Sequence, residues 1–173
     1  MKNTKTEQMK TEAARMIVEA VQFAVSAAVN AADCGVELAM SLYLNIRDAM
    51  FHYKALCDSL LKGNEDNAMK NYVSLKEHLL RGKKDAVLAH TYIVCKAIGR
   101  IMEQKNFNNI FCAEEARRLR SCNNNLKGLV LNVRLAGREP GDEQFSIERT
   151  WEKVTACTIE AVTLCRNRNI SLF

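Results

Sequence analysis

Proline and glycine are scarce in this chain: one of the first and seven of the second in 173 residues. Sandwiches and barrels need turn residues every few positions, and disordered tails are rich in both types, so the scarcity excludes them. Long helices are what remain. Long apolar runs are missing too. The most apolar segment, Met16 to Val29, is broken by Glu19, Gln22 and Ser26, short of the roughly 18 uninterrupted residues that mark a membrane span. No membrane partner is expected. The opening MKNTKTEQMK has lysines but no apolar centre, and Glu7 and Glu12 argue against an organellar leader.

The seven cysteines (Cys34, Cys57, Cys95, Cys112, Cys122, Cys157, Cys165) include no C-x-x-C pair, which removes the usual opening of a zinc site. Odd in number and scattered, they read as small buried hydrophobes in a reducing cytosol, so a cytoplasmic location is expected. Other chemistry is absent by motif. No histidine follows a glutamate at the E-x-x-H spacing of a di-iron bundle, and there is no phosphate loop, G-x-S-x-G elbow or H-E-x-x-H pair. No cofactor or metal is implied.

What is present is an ordinary globular balance, 48% apolar and 26% charged, with a net charge of +5. That length and balance fit one domain spanning residues 1–173, and the mild basicity permits RNA or another polyanion as a partner. The periodicity is helical throughout. Ala14, Ile17, Val21, Ala24 and Ala28 form a stripe on a first helix that breaks at Asp33, Cys34 and Gly35. A second helix, Val36 to Lys62, has Ala39, Leu42, Tyr43, Ile46, Met50, Tyr53, Cys57, Leu60 and Leu61 on one side and Asn45, Asp48 and His52 on the other.

Gly63 fits a helix C-cap, and Asn64 with Glu65 and Asp66 starts a third helix that ends at Arg81 and Gly82, giving an antiparallel hairpin. A fourth helix, Lys84 to about Gln104, is apolar over more of its circumference and is expected at the centre. The fifth carries Ala116, Leu119, Leu126, Val130 and Val133, and Asn123 to Asn125 are expected to kink or split it. A loop from Ala136 to Gln144 leads to a last helix capped by Ser146, with Trp151 as a core or interface anchor. The expected fold is all-α, an antiparallel up-and-down bundle of five to six helices.

One constellation could carry chemistry. In NIRDAMFHYKAL, Arg47, Asp48 and His52 stand as R-D-x-x-x-H. This resembles the R-x(4-6)-H motif of the HEPN superfamily, all-α bundles that often cleave RNA as dimers without a metal. The likeness extends more loosely through ALCDSLLKGNEDNAMKNYVSLKEHLLRGKKDA, with its E-H-L-x-R turn, and covers about Val36 to Met102. The resemblance implies that His52 is the general acid or base on a ribose hydroxyl, that Arg47 holds the scissile phosphate, and that Asp48 orients the imidazole. It implies a homodimer as well, because residues five apart on a helix point about 140° away from each other.

On the residues alone, His52 also reads as a surface histidine on the polar side of its helix, and Arg47 as a surface cation near Asp58. His78 and His90 have no partner at ligand or triad spacing. A basic group, Arg117, Arg118, Arg120 and Lys127, is the weak candidate for nucleic acid; Glu114 and Glu115 can pair with it along the helix, and no aromatic side chain interleaves. Two readings follow: a HEPN-like RNA-acting or nucleotide-binding dimer, in the sharpest case a metal-independent endoribonuclease, and a non-catalytic bundle that binds a protein partner.

Overall fold

A computed structural model of the chain describes residues 2–135 and 146–173. It is all-α. Among the described residues six helices follow in order, α1 (Lys2–Asp33), α2 (Met40–Leu61), α3 (Glu65–Met102), α4 (Phe107–Ile110), α5 (Ala113–Leu135) and α6 (Ile147–Arg166), and no strand occurs. The loop expected from Ala136 to Gln144 lies outside the described residues.

The helix ends follow local chemistry. Gly35 and Gly63 take positive φ of 74° and 70°, the left-handed conformation in which glycine lacks the Cβ penalty. Beyond each glycine the chain folds back on the helix: Val36 N donates to Ala31 O at 2.8 Å and Asn64 N to Ser59 O at 2.9 Å, the Schellman pattern that satisfies otherwise orphaned carbonyls. Asn64 then caps α3, its Oδ1 accepting from Asn67 N at 3.1 Å. Ser146 does the same for α6, accepting from Arg149 N at 3.2 Å.

Two expectations need correction. Gly82 does not end a helix; α3 runs unbroken through it to Met102. A Cβ built on Gly82 would lie 2.8 Å from Asn45 Cβ and 3.3 Å from Leu42 O, so this glycine is there to let α2 approach, not to stop α3. The asparagines at 123–125 do not split α5 either. Each costs only a few tenths of a kcal/mol in propensity, and the burial of Leu119, Cys122, Leu126 and Val133 on the same helix outweighs that. Between α3 and α5, the short α4 takes up Phe107–Ile110 of the asparagine-rich NFNNI stretch.

The chain groups into two compact units, Met1–Ser26 with Ala39–Ala86, and Ala27–Leu38 with Val87–Phe173. In the first, α2 and the start of α3 run antiparallel, since Asn45 meets His78 and His52 meets Asn71. The α1 segment joins them through Tyr72, which is hydrogen-bonded to Glu12; burial and that acceptor push the phenol up to about 12. Lys83 also lies over the Phe23 ring, 5.5 Å from its centroid.

The buried face of α2 is not the stripe expected. Leu42 and Ile46 are buried, but Met50 is 56% exposed and Leu61 81%, and the interior is completed by Ala49 and Leu56. Likewise α1 buries Ala13, Ala20, Phe23, Ala24 and Ala27, leaving Val18, Val21 and Val25 outside. Because α1 is apolar on both sides, its Thr6–Asp33 segment is long and apolar enough by length and composition to cross a membrane, with mean hydropathy 1.2 and 28% of the window buried.

In the second unit α5 and α6 pair antiparallel. Arg118 binds Glu160 at 2.7 Å, and Glu115 binds Arg168, just past α6, at 2.7 Å. The interior holds Val94, Ile98, Leu119, Leu126, Val133, Trp151, Val154 and Ala161. Tyr92 and Ile93 of the expected central helix are exposed.

Candidate functional site

The expected site residues lie on α2, and helical geometry separates them. Arg47 projects from the exposed side, where its Nη2 pairs with Asp48 Oδ1 at 2.7 Å. Asp48 is thus the partner of Arg47 and not the orienting group of His52. Asp58 is not the acid beside Arg47. His52 turns to the opposite flank and is half-buried against α3, where its Nδ1 sits 3.0 Å from Asn71 Oδ1. Its expected place on a solvated polar face is therefore corrected, because that flank faces a neighbouring helix.

The residue that the sequence missed here is His78. Its Nδ1 lies 3.1 Å from Asn45 Oδ1, and its ring stacks on that of His52 with centroids 5.3 Å apart and planes 25° from parallel. The result is a reciprocal clasp of two histidines and two asparagines across the hairpin. The asparagine orientations are fixed by their own helices: Asn71 Nδ2 donates to Asn67 O at 2.8 Å, and Asn45 Nδ2 to Ser41 O at 2.9 Å. Each Oδ1 must then accept, so each neutral histidine carries its proton on Nδ1 and presents an unprotonated Nε2.

The basic group on α5 is divided. Arg118 is engaged by Glu160 of α6, and Arg120 lies over the Phe107 ring, 5.5 Å from its centroid. Glu115, instead of pairing along α5, accepts from Arg168 and from Cys112 N, and these hold its carboxyl below the usual carboxylate range. Arg117, Arg120 and Lys127 project from one side of α5 and Arg118 from another, as the helical period requires. They do not make a continuous stripe with it.

The buried thiols of Cys122 and Cys165 are poorly suited to attack. Burial, then a hydrogen bond to Glu160, pushes Cys122 up to about 12, and burial raises Cys165 to about 11. Nucleophilic cysteines need the opposite shift. Cys112, expected to be buried, is exposed. Among the described residues no group of three or more histidine, cysteine, aspartate or glutamate side chains could hold a metal ion. A pocket of about 660 Å³ lies between the end of α1 and the segment after α6, lined by Asp33, Cys34, Val162, Arg166, Ile170 and Leu172 among others. Its walls mix one acid and one base with apolar side chains, and no histidine enters it.

His90 is the third histidine. It is buried, 4.9 Å from the Trp151 ring in an edge-on contact, and its Nε2 lies 3.3 Å from Thr158 Oγ1. Thr158 gives its own proton to Val154 O at 2.8 Å, so it accepts from His90 Nε2–H. Burial lowers the pKa of His90 to about 4. This neutral histidine belongs to the interior.

Compared with known proteins, the chain matches no family model, no curated protein and no solved structure.

Proposed function

We propose that this chain is a non-catalytic helical protein that works by binding a protein partner through the outward faces of its helices. The observation that carries the reading is the parting of Arg47 from His52. One sits at the middle of an exposed apolar face with Asp48 as its counter-ion, and the other is committed to the α2/α3 clasp. Within one chain, a phosphate held by Arg47 is out of reach of an imidazole turned toward Asn71. Exposed apolar side chains recur at helical spacing on α2 (Met40, Tyr43, Leu44, Met50, Phe51) and on α1 (Val18, Val21, Val25). Contiguous apolar surface of that kind marks interaction sites.

The test is an RNA cleavage assay with chelator present. The interaction reading expects no cleavage that depends on His52, and a wild-type activity lost in His52→Ala would overturn it.

A HEPN-like RNA-acting dimer is the second reading, and one observation favours it. With Nδ1 against Asn71 Oδ1, the neutral His52 ring has its lone pair on Nε2, the tautomer a general base requires, and the His78 ring is stacked on it 5.3 Å away. That reading expects products ending in a 2′,3′-cyclic phosphate, because the neighbouring hydroxyl is the attacking group. Equal loss of activity in Arg47→Ala and His52→Ala would support it.

A further inference from the structure

We infer that the outward face of α2 between Met40 and Phe51 is the seat of a second copy of this chain; the inference rests on the interaction reading and names its partner. Met40, Leu44, Arg47 and Phe51 follow one another at steps of four, three and four, with Tyr43 and Met50 beside them. That spacing draws a nearly straight seam along a helix, the arrangement that another helix packs against. The five apolar members are 68%, 43%, 44%, 56% and 66% exposed in chain order. Their side chains leave roughly 500 Å² uncovered, counting an aromatic as about 200 Å² and an aliphatic as somewhat less. Two such faces laid together remove about 1,000 Å², the least that a specific interface needs.

The charge pattern selects a copy of the same chain over an unrelated partner. The chain carries +5 overall, so two copies repel over most approaches. The Met40–Phe51 face carries one cation and one anion, Arg47 and Asp48, side by side near its middle. A two-fold axis through that point brings each Arg47 toward the Asp48 of the other copy, so the pair made within one chain is extended between two. An isologous contact needs a surface that complements itself, and an apolar seam with a central neutral pair does so.

The experiment is sedimentation of the full chain across the micromolar range, with circular dichroism on each variant. The wild type is expected to dimerise, and Leu44→Glu combined with Phe51→Glu to sediment as a monomer with unchanged helicity. If that double variant loses its helices, Arg47→Asp decides: within the chain Arg47 pairs with Asp48 at the surface, so the fold is kept. Two adjacent carboxylates on each copy should then weaken the dimer by at least about tenfold. A wild type that stays monomeric, with or without binding to anionic vesicles, overturns the inference, as does a dimer dispersed by Val18→Glu with Val25→Glu on α1 but not by the α2 variants. Cleavage of RNA that depends on His52 would sink the interaction reading and leave the α2 dimer standing, so the two failures are separate.

Discussion

His52 donates its Nδ1–H to the side-chain oxygen of Asn71, 3.0 Å away and nineteen residues further along the chain. The bond turns an apparent surface histidine into a fastener of the α2/α3 hairpin. Removing either member leaves the other half-buried and unmatched, which costs more than the bond itself is worth. His52→Ala and Asn71→Ala should each destabilise the chain by about 1 to 3 kcal/mol. Arg47→Ala should stay within about 0.5 kcal/mol, since exposed ion pairs contribute little. Urea unfolding of the two single variants and the double variant measures the coupling; additive losses would show that the two side chains do not act together.

Gly82 and Gly99 both lie within α3 and should respond to alanine in opposite directions. At Gly99 no atom lies within 4 Å of an added Cβ, so Gly99→Ala gains helix propensity of about 0.5 to 1 kcal/mol. At Gly82 the new methyl would meet Asn45 Cβ at 2.8 Å, and neither atom is the loose end of a side chain. Gly82→Ala should cost about 1 to 3 kcal/mol despite the better propensity. Thermal melts of the two variants decide it, and stabilisation by both would mean that α2 can move away without loss.

The turns were legible because their causes are local. Gly35, Gly63, Asn64 and Ser146 announce caps by residue type, and the fold uses all four. Gly82 has a tertiary cause, the nearness of α2, and nothing beside it in the sequence tells a helix stop from a close approach. The buried face of α2 is hidden in the sequence for a related reason. Alanine weighs little in an apolar count, yet Ala49 is buried, while Met50, which weighs more, lies outside. His78 was within reach in principle: once Gly63 closes a hairpin, residues at similar distances from the turn must meet, and polar residues on both arms become candidate partners.

The revised face of α2 can be tested by truncation. Leu42 and Leu56 are fully buried, so Leu42→Ala and Leu56→Ala should each cost about 2 to 5 kcal/mol. Met50→Ala, examined at concentrations too low for association, should cost under about 1 kcal/mol because the side chain is already in water. Chemical denaturation reads all three. A Met50→Ala loss equal to that of Leu56→Ala would return Met50 to the core.

His90 should make the stability of the chain depend on pH in a window set by its burial. In the fold its pKa is lowered to about 4, against 6.5 for the free side chain, because the buried site disfavours the charged form. Above pH 6.5 the folded and unfolded chains both hold it neutral, so it adds no slope. As pH falls from 6.5 toward 4 the unfolded chain takes up a proton that the folded chain refuses, so stability falls. The slope approaches about 1.4 kcal/mol per pH unit and the total loss is about 3 kcal/mol. Glu115, held below the usual carboxylate range by Arg168, contributes only at the lower end, as pH falls below its free value of 4.5. Between pH 6.5 and 5 the histidine can therefore be read apart from it. Urea midpoints at pH 7, 6 and 5 should decline for the wild type. They should stay nearly level for His90→Gln, which cannot titrate there, although that variant starts from lower stability because it gives up the Trp151 contact. An equal decline in both proteins would remove His90 as the cause.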